Sequence, residues 1–339
     1  MDNQNQQKVN FINYLRFFAV ICILLCHLVQ LSSDSRISAT AQIFNIGVPI
    51  FFLISGFCFG LQGKIKNVKE WYQKRLIRIY VPYEIFMFLL LLVYLIKGWN
   101  IKSNLSAFVR CFIGIQGSDV GLVGADHTWF ITSILVYYIA TPLMCYLWNQ
   151  FQKSIYKIVY IVFLIIIFGA SLIFTDDNIS TFLSPIFMYN IAYALGREYG
   201  IYKSRKNAAV CGLLLIAFGM AIRVVGFWNF NSSDIYGVFV GYGQYALAFG
   251  IGLMFLFLCN NVKSTKFVDF FNKISFEVYL YHYGLIFGPI YIYFKVSNKA
   301  LGILLIVLLT LVISLITNKI AEILTNKIRL KIFPKGYER

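Results

Sequence analysis

An arginine and a histidine lie in the first apolar segment of the chain, residues 11–31. Arg16 and His27 are eleven residues apart. Eleven residues make three turns of an α-helix, so both side chains lie on one face, about 16 Å apart along the axis. An arginine inside a membrane span costs about 2.5–3.5 kcal/mol and usually faces a bundle interior or an aqueous cavity. The pair predicts a functional face, although a snorkelling Arg16 and a packing His27 are the alternative.

The two remaining histidines also fall at or inside apolar segments. His127 opens the fourth segment, two residues before Trp129. His282 follows Tyr279 by three residues in the ninth, so these two share a helix face. Both histidines are candidates for substrate contacts. The alternatives are a hydrogen-bonded packing histidine at 282 and an interfacial aromatic belt around 127 and 129.

A serine followed by a glycine interrupts the second apolar segment. Ser55 is a candidate substrate or oxyanion contact, but nothing beside it resembles a nucleophile elbow. The pair Ser55-Gly56 also fits a point of close helix packing, because small residues let membrane helices approach one another. Both interpretations remain open on the sequence alone.

Three cations lie in the seven residues directly before the third apolar segment: Lys74, Arg75 and Arg78. Taken alone, they are typical of a cytoplasmic anchor of a membrane protein. Together with Arg16 they would form a cluster of positive charge, and the forked guanidinium group suits phosphate oxygens. The cluster therefore predicts a site for a phosphorylated ligand on this side of the protein.

The elements that position these residues are predicted to be membrane helices. Of 339 residues, 59% are hydrophobic and 13% are charged, whereas soluble domains are about half apolar and a quarter charged. A span needs about 20 mostly apolar residues. The sequence predicts an all-α, polytopic integral membrane bundle of about ten transmembrane helices, at 11–31, 43–62, 81–97, 127–148, 157–174, 182–199, 208–226, 237–259, 274–294 and 300–320.

The distribution of lysine and arginine predicts the orientation. With a cytoplasmic N-terminus, 22 of these cations fall on the inner side and 7 on the outer, as the positive-inside rule requires. Both termini are then cytoplasmic, in a multi-pass protein of the plasma membrane. The net charge of +16 is explained by topology, so membrane lipid is an expected partner and nucleic acid is not. We expect a single transmembrane domain over 1–325 and a short basic cytoplasmic tail over 326–339.

Neither a metal nor a bound cofactor is expected from the sequence. The seven cysteines form no CxxC pair and no cluster with histidine, which argues against a zinc site or a disulfide framework. The chemistry is therefore expected to come from side chains and from substrates.

The motifs, taken in order, resemble the membrane-bound acyltransferase-3 family. They are Arg-x10-His in the first span, Phe-Phe-x-x-Ser-Gly-Phe in the second, Arg-x-x-Arg-Ile-x-x-Pro before the third, His-x-Trp-Phe at the fourth, and the Ile-Ser pair with its tyrosine and histidine in the ninth. The resemblance covers about 11–320. It implies an enzyme that moves an acyl group from cytoplasmic acyl-CoA to a carbohydrate of the cell envelope, such as capsule, O-antigen, peptidoglycan or exopolysaccharide.

The resemblance also assigns expected roles. Arg16 and His27 match the family's essential pair, and Arg75 and Arg78 match its cytoplasmic basic motif. The expected reaction transfers an acyl group, with acetyl anticipated, from acetyl-CoA to a hydroxyl of a cell-surface polysaccharide or its lipid-linked precursor. His27 would act as general base or carry the acyl group itself. The alternative function is an exporter or carrier of an envelope glycan.

The expected site residues follow from these arguments: catalytic, His27 and Arg16; donor-binding, Arg75, Arg78 and Lys74; substrate or oxyanion contacts, Ser55, His127, Trp129, Tyr279 and His282.

Overall fold

The computed structural model describes residues 9–100, 104–117, 121–175, 183–199, 205–230 and 235–333, and this part of the chain is helical throughout its regular structure. Its long helices are α1 (Asn10–Val29), α2 (Gly47–Gln62), α3 (Val68–Ile96), α4 (Trp129–Gln150), α5 (Ser154–Phe174), α6 (Pro185–Arg197), α7 (Arg205–Phe230), α8 (Tyr236–Cys259), α9 (Lys266–Ile286) and α10 (Lys299–Ile332). Short helical turns lie between them, at Ser35–Ala39, Ala41–Phe44, Leu105–Phe112, Asp126–Thr128 and Ile292–Lys295.

The predicted fold class, an all-α polytopic membrane bundle, is confirmed. Within the described chain, eight helical stretches are long and apolar enough to cross a membrane: Asn10–Val29, Ser35–Gln62, Val68–Ile96, Asp126–Gln150, Ser154–Phe174, Asn207–Phe230, Tyr236–Cys259 and Lys299–Ile332. They correspond to eight of the ten predicted segments.

The two other predicted segments are helices of a different character. α6 covers most of 182–199, of which residue 182 lies outside the described residues, and it is only 13 residues long. α9 begins eight residues before the predicted 274 and carries Asp269, Lys273 and Glu277. Both helices are buried along much of their length, so protein rather than lipid surrounds their polar groups.

Glycines let α2 and α6 approach closely. A Cβ atom added at Gly56 would collide with the backbone carbonyl of Tyr189, and one at Gly60 would collide with that of Tyr193. The interpretation of Ser55-Gly56 as a helix-packing point thus fits the geometry at the glycine. Ser55 itself, one residue earlier, is turned to another face of α2 and is only partly buried.

Polar contacts fix α1 beside α9 in the same direction. The Asn13 amide donates to the Asp269 carboxylate at 3.3 Å, and the Asn272 amide donates to the Asn13 carbonyl at 3.1 Å. The ring of Phe17 packs on that of Phe271, with centroids 5.4 Å apart. Because the two helices run side by side in the same direction, residues near the C-terminal end of α1 meet residues near the C-terminal end of α9.

The last helix continues beyond the predicted membrane segment. α10 runs without interruption to Ile332, so residues 326–332 of the predicted basic tail are helical and pack beside the bundle. Residues 334–339 of that tail lie outside the described residues. The division into a domain and a tail stays a prediction.

Candidate functional site

A cavity of about 920 Å³ lies between α1, α2, α3, α4, α9 and α10. The direction of each helix gives the order in which its residues line the cavity from the mouth to the deep end. On α1, Arg16 lies near the start and Ile23 seven residues further on, which is about 10 Å deeper. On the antiparallel α10, Arg329 lies at the mouth and Asn318 eleven residues deeper. The cavity therefore reaches from one end of the bundle towards its middle.

Basic side chains dominate the mouth. Arg75, Arg78, Lys273 and Arg329 line it, together with the amide of Gln62, and the carboxylate of Glu322 lines the cavity between Asn318 and Arg329 on α10. Arg75 donates to the Gln62 side-chain oxygen at 3.1 Å. Its guanidinium also lies 4.7 Å from the centre of the Phe59 ring, a cation–π contact that holds the group in place. The Nε atom of Arg75 is buried and without a hydrogen-bond partner in the structure.

Three guanidinium groups in the cavity lack a carboxylate partner. Within the described residues, Arg16, Arg75 and Arg78 form no ion pair, although Arg16 and Arg75 are partly buried. A buried charge is costly unless it is paired and hydrogen-bonded. This arrangement is accordingly suited to an anionic ligand, whose oxygens the guanidinium forks would bind.

The middle of the cavity is polar and includes a carboxylate. Ser55 and Cys58 of α2 line one wall, and Ser275 and Glu277 of α9 line another. The Asn318 amide donates to one oxygen of the Glu277 carboxylate at 3.0 Å. The other carboxylate oxygen of Glu277 is buried without a partner, so it can accept a hydrogen bond from a ligand.

The deep end of the cavity is apolar. Its described lining residues are Ile23, Val48, Phe51, Phe130, Ile134 and Tyr279. The Tyr279 hydroxyl donates to the backbone carbonyl of His127, and its ring packs on Phe130 with centroids 5.2 Å apart. Tyr279 thus closes the cavity on this side.

The three histidines of the chain meet directly behind Tyr279. The ring of His282 lies between the other two, with centroids 5.2 Å from His27 and 5.4 Å from His127. The Tyr283 ring contacts both His27 and His127, at 5.1 and 4.8 Å. Three distant segments of the chain therefore contribute to one histidine cluster, which we define as His27, His127 and His282.

Backbone carbonyls fix the proton positions on two of these rings. The Nδ1 atom of His282 lies 2.6 Å from the Tyr279 carbonyl oxygen, and Nε2 of His127 lies 3.1 Å from that of Leu280. A carbonyl oxygen only accepts, so both of these ring nitrogens carry a hydrogen. The opposite nitrogens, Nε2 of His282 and Nδ1 of His127, are lone-pair acceptors, and both are buried without a partner.

Two of the predicted site residues lie elsewhere. The Lys74 ammonium pairs with the Glu70 carboxylate at 2.6 Å and does not line the cavity. Trp129 packs its ring against Phe52, with centroids 6.3 Å apart, beside the cavity wall. The predicted set is otherwise divided between the cavity (Arg16, Ser55, Arg75, Arg78 and Tyr279) and the histidine cluster.

Comparison with known proteins assigns this arrangement to a family. The family Acyl_transf_3, described as an acyltransferase domain, matches residues 9–319, more than nine-tenths of the chain. The chain belongs to the acyltransferase-3 family. No curated protein and no solved structure matches it.

The match confirms the predicted resemblance and the prediction of an enzyme. This acyltransferase is a membrane-bound protein whose match includes the histidine cluster and all of the cavity lining except the residues of α10 beyond 319. Glycan export, the alternative, gains no support from the match. Among the described residues, no group of histidine, cysteine, aspartate or glutamate has the arrangement of a metal site.

Several polar cavity residues of the acyltransferase were not predicted as site residues, among them Glu277, Asn318 and Arg329. Glu277 is an acidic residue within an apolar segment, and that feature alone is a signal for a functional group in a membrane protein. Asn318 and Arg329 carry weaker signals, since one lies at the end of a predicted span and the other in the predicted tail. Their place in the cavity follows from the length and direction of α10.

Proposed function

We propose that this acyltransferase transfers an acetyl group from acetyl-CoA to a hydroxyl of a cell-surface polysaccharide or its lipid-linked precursor. The observation that carries the proposal is the cavity itself. Within the described residues, Arg16, Arg75 and Arg78 line it without an ion-pair partner, and its deep end adjoins the histidine cluster. A donor bound there would place its charged end outward and its reactive end towards the histidines.

The order of groups along the cavity supports coenzyme A as the carrier. A CoA thioester has a phosphorylated nucleotide at one end, a neutral arm with two amides, and the acyl group at the other end. The mouth offers Arg75 and Arg78 to phosphates, and the middle offers Ser55 and Glu277 to amide and hydroxyl groups. The volume of about 920 Å³ is near the top of the 300–1,000 Å³ that is typical of small-molecule pockets.

The deep end supports a small uncharged acyl group. Its walls are formed by aliphatic and aromatic side chains, and Arg16 lies about 10 Å nearer the mouth than Ile23. A methyl group gains from such surroundings, whereas the free carboxylate of a succinyl group would be buried there without a partner. Acetyl is therefore the donor group that we propose.

The mouth is proposed to face the cytoplasm. Arg16 near the start of α1 and Arg329 near the end of α10 both line it, so these two helix ends lie on the same side of the bundle. The excess of lysine and arginine on that side supports a plasma-membrane protein whose cavity mouth faces the cytoplasm. Acetyl-CoA would then bind from the compartment in which it is made.

His27 is proposed as the general base. The acceptor hydroxyl gives its proton to His27 while its oxygen forms a bond to the thioester carbonyl carbon. The carbon–sulfur bond then breaks, and the leaving CoA thiolate takes the proton back from His27, which regenerates the base. General-base catalysis of this kind contributes about 10²–10⁴-fold. Arg16 would assist through its positive charge near the donor, and Tyr279 would separate donor and acceptor until transfer.

An acyl-histidine mechanism is the second candidate. In that scheme His27 attacks the thioester and carries the acetyl group as an acyl-imidazole to the acceptor. The two schemes differ when no acceptor is present, because only the second leaves the acetyl group on the protein. We favour the general base, since an acyl-imidazole hydrolyses readily in a wet cavity.

Purified enzyme in lipid vesicles, given acetyl-CoA labelled in the acetyl group, tests this proposal. Label should pass to an envelope polysaccharide acceptor, and His27→Ala should abolish transfer while leaving membrane insertion unchanged. Succinyl-CoA should be a much poorer donor. Mass spectrometry of the envelope polysaccharide from a strain lacking the enzyme would name the sugar and the hydroxyl. Equal transfer by wild type and His27→Ala would refute the proposed site.

A further inference from the structure

The rings of His27 and His282 are in contact, and each ring carries a buried nitrogen atom without a hydrogen-bond partner. Their ring centroids are 5.2 Å apart, and the planes are inclined by 39°. The Nδ1 atom of His27 and the Nε2 atom of His282 are both buried and unsatisfied. Buried polar atoms in native proteins are nearly all hydrogen-bonded, so each such exception requires an explanation.

The tautomer of His282 makes it an acceptor towards His27. Its Nδ1–H is engaged by the Tyr279 carbonyl at 2.6 Å and lies 3.2 Å from the Val278 carbonyl. The lone pair of Nε2 is therefore fixed, because the helix backbone holds the ring from the other side. His282 itself is fully buried, so water does not compete for that lone pair.

We propose that His282 is a positioning residue that accepts a hydrogen bond from Nδ1–H of His27. This inference rests on the proposed general base. With its Nδ1–H held by His282, His27 keeps the lone pair on Nε2 and directs it towards the acceptor hydroxyl. The proton of the hydroxyl moves to Nε2 of His27, while the hydrogen on Nδ1 stays in place and His282 keeps its own protonation state.

The hydrogen bond requires Nδ1 of His27 to point at Nε2 of His282, whose own ring is held by the helix backbone. A ring nitrogen lies about 1 Å from its ring centre, so nitrogens that point at each other across the observed centroid separation would come within hydrogen-bond range. The same bond would stabilise the imidazolium that forms on His27 during transfer. The arrangement is that of a base oriented by a second group, with a neutral imidazole in the orienting role.

Among the rings that contact His27, only that of His282 presents a buried nitrogen without a partner, while the Gln30 side chain is a further hydrogen-bonding neighbour of His27. The rings that contact His27 in the described structure are those of His282, Tyr283 and Phe287. Phe287 has no hydrogen-bonding atom. Tyr283 has a hydroxyl that could accept a hydrogen bond, so it must be tested separately. His127 contacts His282 and Tyr283, which places it one ring further from the base.

Two near-isosteric substitutions separate orientation from packing. In His282→Gln the side-chain amide reaches the position of Nε2 and can still accept from His27. In His282→Asn the amide occupies the position of Nδ1, which keeps the contact with the Tyr279 carbonyl but offers nothing to His27. Both variants lose the aromatic ring. If His282 served only in packing, the two variants would therefore lose the same amount of activity.

The measurement is acetyl transfer by purified full-length enzyme in vesicles, with the donor Kd measured in parallel. We expect His282→Asn to lose about 100-fold in kcat, the lower end of what a general base contributes, and His282→Gln to retain about a tenth or more of the activity. Donor Kd should be unchanged in both, because His282 does not line the cavity. Tyr283→Phe and Phe287→Leu serve as controls and should each stay within about 3-fold of wild type, as expected for contacts that transfer no proton.

The combination with His27→Ala completes the test. His282→Asn should cause no further loss in that background, because residues that act as one unit are not additive. Equal activity of the Gln and Asn variants, whether high or low, would overturn the role of His282, and so would a loss in Tyr283→Phe equal to that in His282→Asn. If His27→Ala is as active as wild type, the proposed general base fails instead, which is a separate outcome.

Discussion

Removing the guanidinium of Arg75 should weaken donor binding without disturbing the fold. In the free protein one nitrogen of this group donates to Gln62 at 3.1 Å, and the Nε atom is buried without a partner. The donors that remain are proposed to bind a phosphate of CoA. A hydrogen bond to a charged group contributes about 1.5–3 kcal/mol, and 1.4 kcal/mol is a factor of ten in Kd. We expect Arg75→Ala to raise the Kd of acetyl-CoA by about 10- to 100-fold.

The conservative replacement should have an intermediate effect. Lysine keeps the positive charge but loses the planar fork and the stacking on Phe59, which lies 4.7 Å from the guanidinium. We expect Arg75→Lys to raise the Kd by about 5-fold, roughly half of the free energy lost in the alanine variant.

A neighbouring lysine provides the matched control. Lys74 carries the same charge one residue earlier, but its ammonium pairs with Glu70 at 2.6 Å and lies outside the cavity lining. Lys74→Ala should change the Kd by less than about 2-fold, because an exposed ion pair contributes about 0–1 kcal/mol and does not touch the ligand.

Equilibrium binding of radiolabelled acetyl-CoA to the detergent-solubilised enzyme gives these constants. A second ligand, acetyl-pantetheine, lacks the nucleotide and its phosphates, so its affinity should be the same in wild type and Arg75→Ala. The reasoning is refuted if Arg75→Ala and Lys74→Ala weaken binding equally, or if both ligands lose affinity to the same extent. Either result would leave Arg75 as a topological anchor only.

Three further predictions follow from the packing, the topology and the mechanism. Gly56→Ala should destabilise the solubilised protein by several degrees in Tm, because its Cβ would meet backbone of α6, whereas Gly237→Ala on α8 has open space and should not. Reporter fusions at Lys69 should read cytoplasmic and those at Gly117 extracytoplasmic, and the reverse result at both sites would contradict the proposed orientation. Incubation with acetyl-labelled CoA and no acceptor should leave the protein unlabelled, and label trapped on His27 would establish the acyl-histidine scheme instead.

The fold class was predictable because its signal is local. About 20 consecutive apolar residues indicate a membrane span. The excess of lysine and arginine in the loops on one side predicts which helix ends face the cytoplasm. The same local reasoning marked Arg16 and His27, since a charged or titratable residue within an apolar segment needs a protein or aqueous environment. Eight of the ten predicted spans meet the length and hydropathy of a membrane helix in the structure.

Helix α9 illustrates where the local signal weakens. Its first turns carry Asp269 and Lys273, so its hydropathy resembles that of a surface helix, and the predicted segment began only at 274. In the bundle those polar groups face α1 and the cavity rather than lipid. The burial that explains them comes from neighbouring helices, which a single sequence segment does not specify.

The sequence by itself thus determined the helices, their number and the residue types that they carry into the membrane. Only the tertiary structure decided which of those residues meet. His27, His127 and His282 are separated by 100 and 155 positions along the chain, yet their rings lie within one cluster. Arg329 of α10 joins Arg75 of α3 at one cavity mouth. The physical reason is that two helices become neighbours when their surfaces fit together, as α2 and α6 do at their glycine contacts. Such a fit depends on two segments that are far apart in the sequence, so neither segment alone specifies it.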